Sequence, residues 1–300
     1  MTPFRLFVCA CALSVGVGCS SSPVTPDDAT GGDGSGGSTG HAGSGGSGGK
    51  SPTPSCPKGT NPRGDDKPEK LGSVSGQIVD EQGQPTSSGL VQICGRDICI
   101  NARVASNGKL AEQVDQTLDT PACKWGDGFE WAKLALPLAA GDTELGTLTT
   151  ARLPDYSESV PLRAGQRATS GGISLTLAAK AQVVVNSLDY ETEEQQGFRA
   201  VAIPPAALIL LDPDFVAGYA LSPLETRVCP NASLSLENTE DLAPGTALEL
   251  YLLGLDVGET WAPYGQWLMI GEGAVSDDGM SLEFPDSVPL LTAVAVKVKP

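Results

Sequence analysis

Beyond Leu71 the apolar residues come in short runs, broken about every ten residues by Gly, Pro, Asn or Asp. No stretch of helix length repeats its apolar positions at the period of roughly 3.6 that a packed helix needs. A chain patterned this way folds into strands joined by tight turns. Residues 73–80 alternate apolar with polar, Glu81 to Pro85 supplies turn chemistry, and strands follow at 90–93 and 98–100. A turn is expected at 105–109 and a strand at 131–136. Later strands are expected at 173–177, 182–185, 198–203, 234–236, 247–253, 267–270 and 293–298, with a break at Pro204-Pro205. Asp277-Asp278-Gly279, between Val275 and Leu282, marks a hairpin. The expected fold class is all-β, with one β-sandwich over 71–154 and a second β-rich sandwich domain over 155–300.

Residues 19–70 cannot build such a core. Between 31 and 49 stand eleven glycines, with Ser, Thr, Asp, Ala and His41 and no larger aliphatic. Such a segment has nothing apolar to bury against its conformational entropy, so a disordered Gly/Ser/Pro-rich tether is expected. A flexible coil of about 50 residues spans about 40 Å. Pro52, Pro54, Pro57, Pro62 and Pro68 stiffen its later part.

Met1 to Arg5 carries one positive charge and no acid, and an apolar run follows from Leu6 to Leu13, fading through small residues to Gly18. Residues 1–18 therefore read as a signal peptide. The apolar run of about 13 residues is too short to cross ~30 Å of hydrocarbon as a helix. Val17-Gly18-Cys19 resembles the lipobox of bacterial lipoproteins. That resemblance implies that Cys19 becomes the mature N-terminus, carrying diacylglycerol and further acyl groups such as palmitate. Each buried CH₂ then contributes ~0.8 kcal/mol, enough together for stable anchoring. Ser20 in place of Asp does not resemble an inner-membrane retention signal, which implies the outer membrane or cell surface. The tether is similar in style to those of myxobacterial surface lipoproteins.

The net charge is −17, and loss of Arg5 with the signal makes it one unit more negative. Nucleic acid and anionic lipid would be repelled. The expected partners are the membrane, through the N-terminal lipid, and an envelope protein or glycan. Five cysteines follow Cys19: Cys56, Cys94, Cys99, Cys123 and Cys229. In an exported chain the default is disulfides. Cys94 and Cys99 flank the turn Gly95-Arg96-Asp97 and are expected to bridge across a hairpin. Cys123 is expected to pair with Cys56 or with Cys229, leaving one thiol over.

The phrase from Gly76 to Pro85, followed by Val91-Gln92-Ile93 and Ser106-Asn107-Gly108, resembles the carboxypeptidase regulatory-like, transthyretin-type β-sandwich over roughly residues 72 to 153. The resemblance implies an accessory, interaction or stalk module and brings no catalytic residues. From Tyr219 onward the chain is faintly similar to sandwich modules of ankyrins and netrin receptors, through Pro244-Gly245-Thr246, Trp267, Gly273-Ala274-Val275 and Asp278-Gly279.

Catalytic motifs are missing from the strand-forming region. The one histidine, His41, lies in the tether, so Ser-His-Asp and Cys-His catalysis lack their base. No HExxH, CxxC, P-loop or GxSxG motif occurs there. Ser106-Asn107-Gly108-Lys109 fits S-x-x-K only formally; it reads as a turn. Asp212/Asp214, Glu191/Glu193/Glu194 and Asp277/Asp278 offer oxygen ligands, but none has EF-hand spacing, and solvated turns explain them. No catalytic residue, metal site or cofactor is expected. Trp261, Tyr264 and Trp267 surround a Pro-Gly turn and suit stacking on sugar rings, unless they plug the core instead. The favoured expectation is a lipid-anchored, non-enzymatic envelope or surface protein with structural or adhesive β-sandwich modules. A carbohydrate-binding lipoprotein using the aromatic turn is the alternative, and an acid-pair hydrolase is the third reading.

Overall fold

The structure, a computed structural model, describes residues 67–86, 91–256 and 261–300. The expected signal peptide, Cys19, Cys56 and nearly all of the expected tether lie outside those residues. The alternation that begins near Ser73 produces β1 (Pro68–Val79), which starts earlier because Pro68 already pairs with Asp119. There follow β2 (Val91–Cys94), β3 (Cys99–Ala102), β4 (Lys109–Gln113), β5 (Thr117–Asp119), β6 (Ala122–Trp125), β7 (Leu134–Pro137) and β8 (Gly141–Thr149). β7 starts later than expected because the Asp127 carboxylate accepts the N–H groups of Phe129, Glu130 and Trp131 and holds them in a loop.

β1 pairs antiparallel with β4 and β5 and parallel with β8, while β3-β2-β6-β7 forms a second, antiparallel sheet. Leu71, Val74, Ile78 and Leu148 of the first sheet share a core with Val91, Ile93, Trp125 and Leu134 of the second. Trp125 is fully buried, and its indole N–H donates to the Thr149 carbonyl at 3.1 Å, so its polar edge is satisfied there.

The later strands are β9 (Arg167–Ser170), β10 (Ile173–Thr176), β11 (Gln182–Val184) and β12 (Arg199–Ala202). The helix α1 (Pro205–Leu211) follows, then β13 (Ala217–Ser222), β14 (Thr226–Glu237), β15 (Ala247–Leu253), β16 (Trp267–Val275), β17 (Ser281–Leu291) and β18 (Ala293–Val298). The expected break at Pro204-Pro205 turns out to start α1. Pro205 takes the first helical turn, where its fixed φ and missing N–H cost nothing.

These strands form one sheet in the order β12-β13-β18-β15-β16-β17-β14-β10-β9, with β11 also on β14. The sheet rolls up until its end strands meet: the Ala200 N–H of β12 donates to Ser170 Oγ of β9 at 3.0 Å. Inside the roll lie Leu175, Leu234, Leu250, Leu252, Phe284 and Val294.

Alternation in β18 fixes how the halves join. Val294 and Val296 fill the roll, while Ala293 and Ala295 face the other way and belong to the core built around Trp125. Their small side chains let the sheets approach closely, with Leu253, Leu255 and the buried face of α1 closing the seam. The segments 71–154 and 155–300 thus share a hydrophobic cluster, and the described residues belong to one compact unit.

Candidate functional site

The hairpin cysteines bridge as expected. Cys94 and Cys99 face each other in register across β2 and β3 and form a disulfide. Cys229 is also disulfide-bonded, and its partner lies outside the described residues. Cys123 corrects the expectation made for it: it is a free thiol. It sits on β6, fully buried in the sandwich core, and burial pushes its pKa up to about 12.

The structure places the three rings of the aromatic turn unequally: Tyr264 is buried, while Trp261 and Trp267 are half-buried. Stacking on sugar requires an open ring face. Tyr264 is only 4% exposed, clustered with Cys94 and Ala122, and Lys124 Nζ lies 4.4 Å from its ring centre. Trp267 meets Phe215 edge-on at 5.0 Å, and Trp261 packs against the core of the roll. The cause is Gly254 at the end of β15. Its N–H donates to the Gln266 carbonyl and its carbonyl accepts the Gly265 N–H, while a Cβ there would collide with the Pro263 carbonyl. The turn is therefore held against β15, with Tyr264 buried beneath it and Trp261 and Trp267 half-buried at its sides.

Lys124 is the polar group of this plug. Its Nζ donates to the Leu255 carbonyl at 2.6 Å. Burial, and then the neighbouring Lys133 charge, bring its pKa down to about 8. Nearby, Glu225 and Asp256 line a cleft of about 240 Å³ with Asn186, Arg227, Val184 and Leu290. Burial and the Asp256 charge raise the Glu225 pKa. Of the acids singled out in the sequence, Asp212 and Asp214 both meet Lys297, at 2.7 and 3.7 Å. Asp278 caps its hairpin by accepting the Met280 N–H and the Ser276 hydroxyl. Among the described residues no group of three or more His, Cys, Asp or Glu is placed to hold a metal ion.

The most extended feature was not singled out in the sequence. Across β9, β10, β14 and β17, the register sets Thr169, Ser174, Ser235 and Glu283 side by side in one row. Two residues along, Arg167, Thr176 and Ser233 form a second row on the same face. The intervening Leu175, Leu234 and Phe284 point into the roll. Hollows run together over these rows. One of about 210 Å³ and one of about 300 Å³ share Arg167 and Ser235. The second continues, through Glu283 and Pro285, into a hollow of about 500 Å³.

That widest part is a fork. β16 and β17 pair only at Ala274↔Glu283 and Val275↔Leu282, after which β16 departs to follow β15. The whole groove runs crosswise over five strands, about 20 Å at a strand spacing of about 4.8 Å. Its hydroxyls are partly tied to one another: Thr169 Oγ1 and Ser174 Oγ lie 2.7 Å apart, and the Ser281 hydroxyl donates to Glu283 Oε1 at 3.2 Å. The sequence signal was Ser or Thr at alternate positions in 174–176, 233–235 and 281, facing away from leucines.

No protein-family model matches the chain, and none of the curated proteins matches it. A crystal structure of a suspected carbohydrate-binding protein from Bacteroides uniformis aligns with 77% of this chain and 100% of its own, at 10% identity and a TM-score of 0.21. A likeness so slight carries no argument about fold or ligand.

Proposed function

We propose that this chain is an exported, lipid-anchored and non-catalytic protein of the outer membrane or cell surface, presenting its β-sheet faces for structural or adhesive contacts. The observation that carries the reading is the crosswise groove, polar on each of its strands and built on a rigid sheet. Such a surface suits holding a partner in place. The lipobox at Val17-Gly18-Cys19 and the glycine-rich tether supply the anchor and reach. The segment 72–153 is proposed as a carboxypeptidase regulatory-like accessory module, on the strength of its turn motif from Gly76 to Pro85.

The anchor is tested by metabolic labelling with palmitate in cells making the wild-type chain or Cys19→Ala. Label and membrane association in the wild type, both lost in the variant, support the reading. An unchanged variant rejects it.

A second reading, acid-pair hydrolysis, has one observation in its favour: Glu225 and Asp256 share a cleft, and Glu225 holds its proton more tightly than usual. Release of reducing sugar from a polysaccharide panel, abolished by Glu225→Gln, would establish it over the first.

A further inference from the structure

We infer that the groove over β9, β10, β14, β17 and β16 binds a neutral glycan chain laid across the strands. The inference rests on the non-catalytic, partner-holding reading above and names the partner's chemistry.

The path of the groove narrows the class first. An extended peptide adds to a sheet by pairing with a free strand edge. Here β10, β14, β17 and β16 each have hydrogen-bonded neighbours on both sides, so the floor offers side chains rather than backbone. A ligand crossing them meets a polar side chain on nearly every strand, at intervals of about 4.8 Å.

Those side chains narrow it further. Ser and Thr hydroxyls both donate and accept, Glu283 only accepts and Arg167 only donates. A polyhydroxylated chain satisfies all three kinds, because each of its own hydroxyls donates or accepts as needed. An apolar peptide side chain would match none of them.

Charge removes anionic competitors. Glu237, Glu272, Asp277 and Glu283 line the groove against Arg167, on a chain of net charge −17, so anionic polymers are repelled. Of these four carboxylates, Glu272 is already paired with Lys299 at 2.7 Å, and an oligolysine comparator tests whether the others draw a cationic partner instead. The fork, an open hollow of about 500 Å³, is wide enough to take one end of the chain.

The full mature protein is titrated by calorimetry with maltohexaose, cellohexaose, laminarihexaose and N-acetylchitohexaose, and with a heparin hexasaccharide and an oligolysine as charged comparators. Ser235→Trp fills the middle of the groove. Thr176→Trp blocks it from an exposed position and serves where the first variant fails to fold. Binding of at least one neutral hexasaccharide, weakened tenfold or more in a folded blocking variant, is the expected result. Absence of binding by all four, or equal binding by the variants, overturns the inference. Groove-dependent binding of oligolysine or heparin alone also overturns it, while leaving the partner-holding reading intact. Cleavage of any hexasaccharide overturns that reading instead.

Discussion

The guanidinium of Arg199 stands 3.8 Å from the centre of the Tyr156 ring, buried where the two β-rich segments meet. From β12 its Nη1 donates to the carbonyls of Phe129 and Pro154, both at 2.9 Å, and its Nη2 donates to Ser222 Oγ at 3.1 Å. Carbonyls, a hydroxyl and a ring thus meet the charge, and burial lowers its pKa. Arg199→Met leaves two carbonyls without their donor, so a loss of roughly 2–4 kcal/mol is expected in urea unfolding. Arg199→Lys should recover less than half, because a single ammonium cannot span the same partners. Both segments should unfold in one transition, since the contact joins them. A loss below about 1 kcal/mol, or separate transitions, would contradict this account.

Lys124 makes stability depend on pH in a predictable direction. Its folded pKa, about 8, lies below its ordinary value of 10.5, because burial and Lys133 disfavour the charge. Between those values the unfolded chain holds the proton and the folded chain does not, so stability rises as pH increases through the window. The neutral amine still donates to the Leu255 carbonyl. Lys124→Met abolishes the effect. The wild type should therefore gain on the variant, by on the order of 1–3 kcal/mol, across that range. A difference that stays flat with pH argues that Lys124 keeps its ordinary pKa.

How much of this was legible in the sequence depended on whether the residue types of a strand alternate. β15 was readable because leucines facing the roll alternate with more exposed residues, and β18 because Val alternates with Ala although both its faces are covered. β13 was not: Gly218 lies against Leu208, Tyr219 and Leu221 fill the roll, and Ala220 meets Ala132 and Ala151, so no polar face marks it. Lys124 reads as a solvent residue until the turn from the far end of the chain covers it. The aromatic triad was visible, but its direction was set by Gly254, whose contact with Pro263 no local pattern announces. The hydroxyls of the groove alternate plainly in the sequence. Their alignment into rows depends on register, which periodicity within one strand does not contain.

Cys123 should be chemically silent in the native protein. The reactive species is the thiolate, and burial moves the Cys123 pKa up to about 12 while the core excludes reagent. Ellman's reagent at mildly alkaline pH is expected to find one more thiol in the unfolded, unreduced wild type than in unfolded Cys123→Ala. The two native proteins should give equal counts. The Cys94–Cys99 disulfide closes a short loop with a sequence separation of 5, so replacing both residues with Ala should cost about 2 kcal/mol. Native-state labelling of Cys123 would show that the sandwich core opens more readily than its packing implies.

Gly273 permits the close crossing of β16 and β17 that creates the fork. A Cβ at this position would overlap the Glu283 carbonyl oxygen and the Phe284 ring, and the first of these is backbone that cannot turn aside. Gly273→Ala must therefore move one strand, with an expected cost of roughly 1–3 kcal/mol and a weakened groove. Gly245→Ala separates this from the ordinary preference of glycine for a turn. It has φ +76 with nothing within 4 Å, so it loses about 1 kcal/mol through backbone strain alone and leaves the groove intact. If the two variants behave alike in denaturant and in calorimetry with the neutral hexasaccharides, the strand crossing does not shape the site.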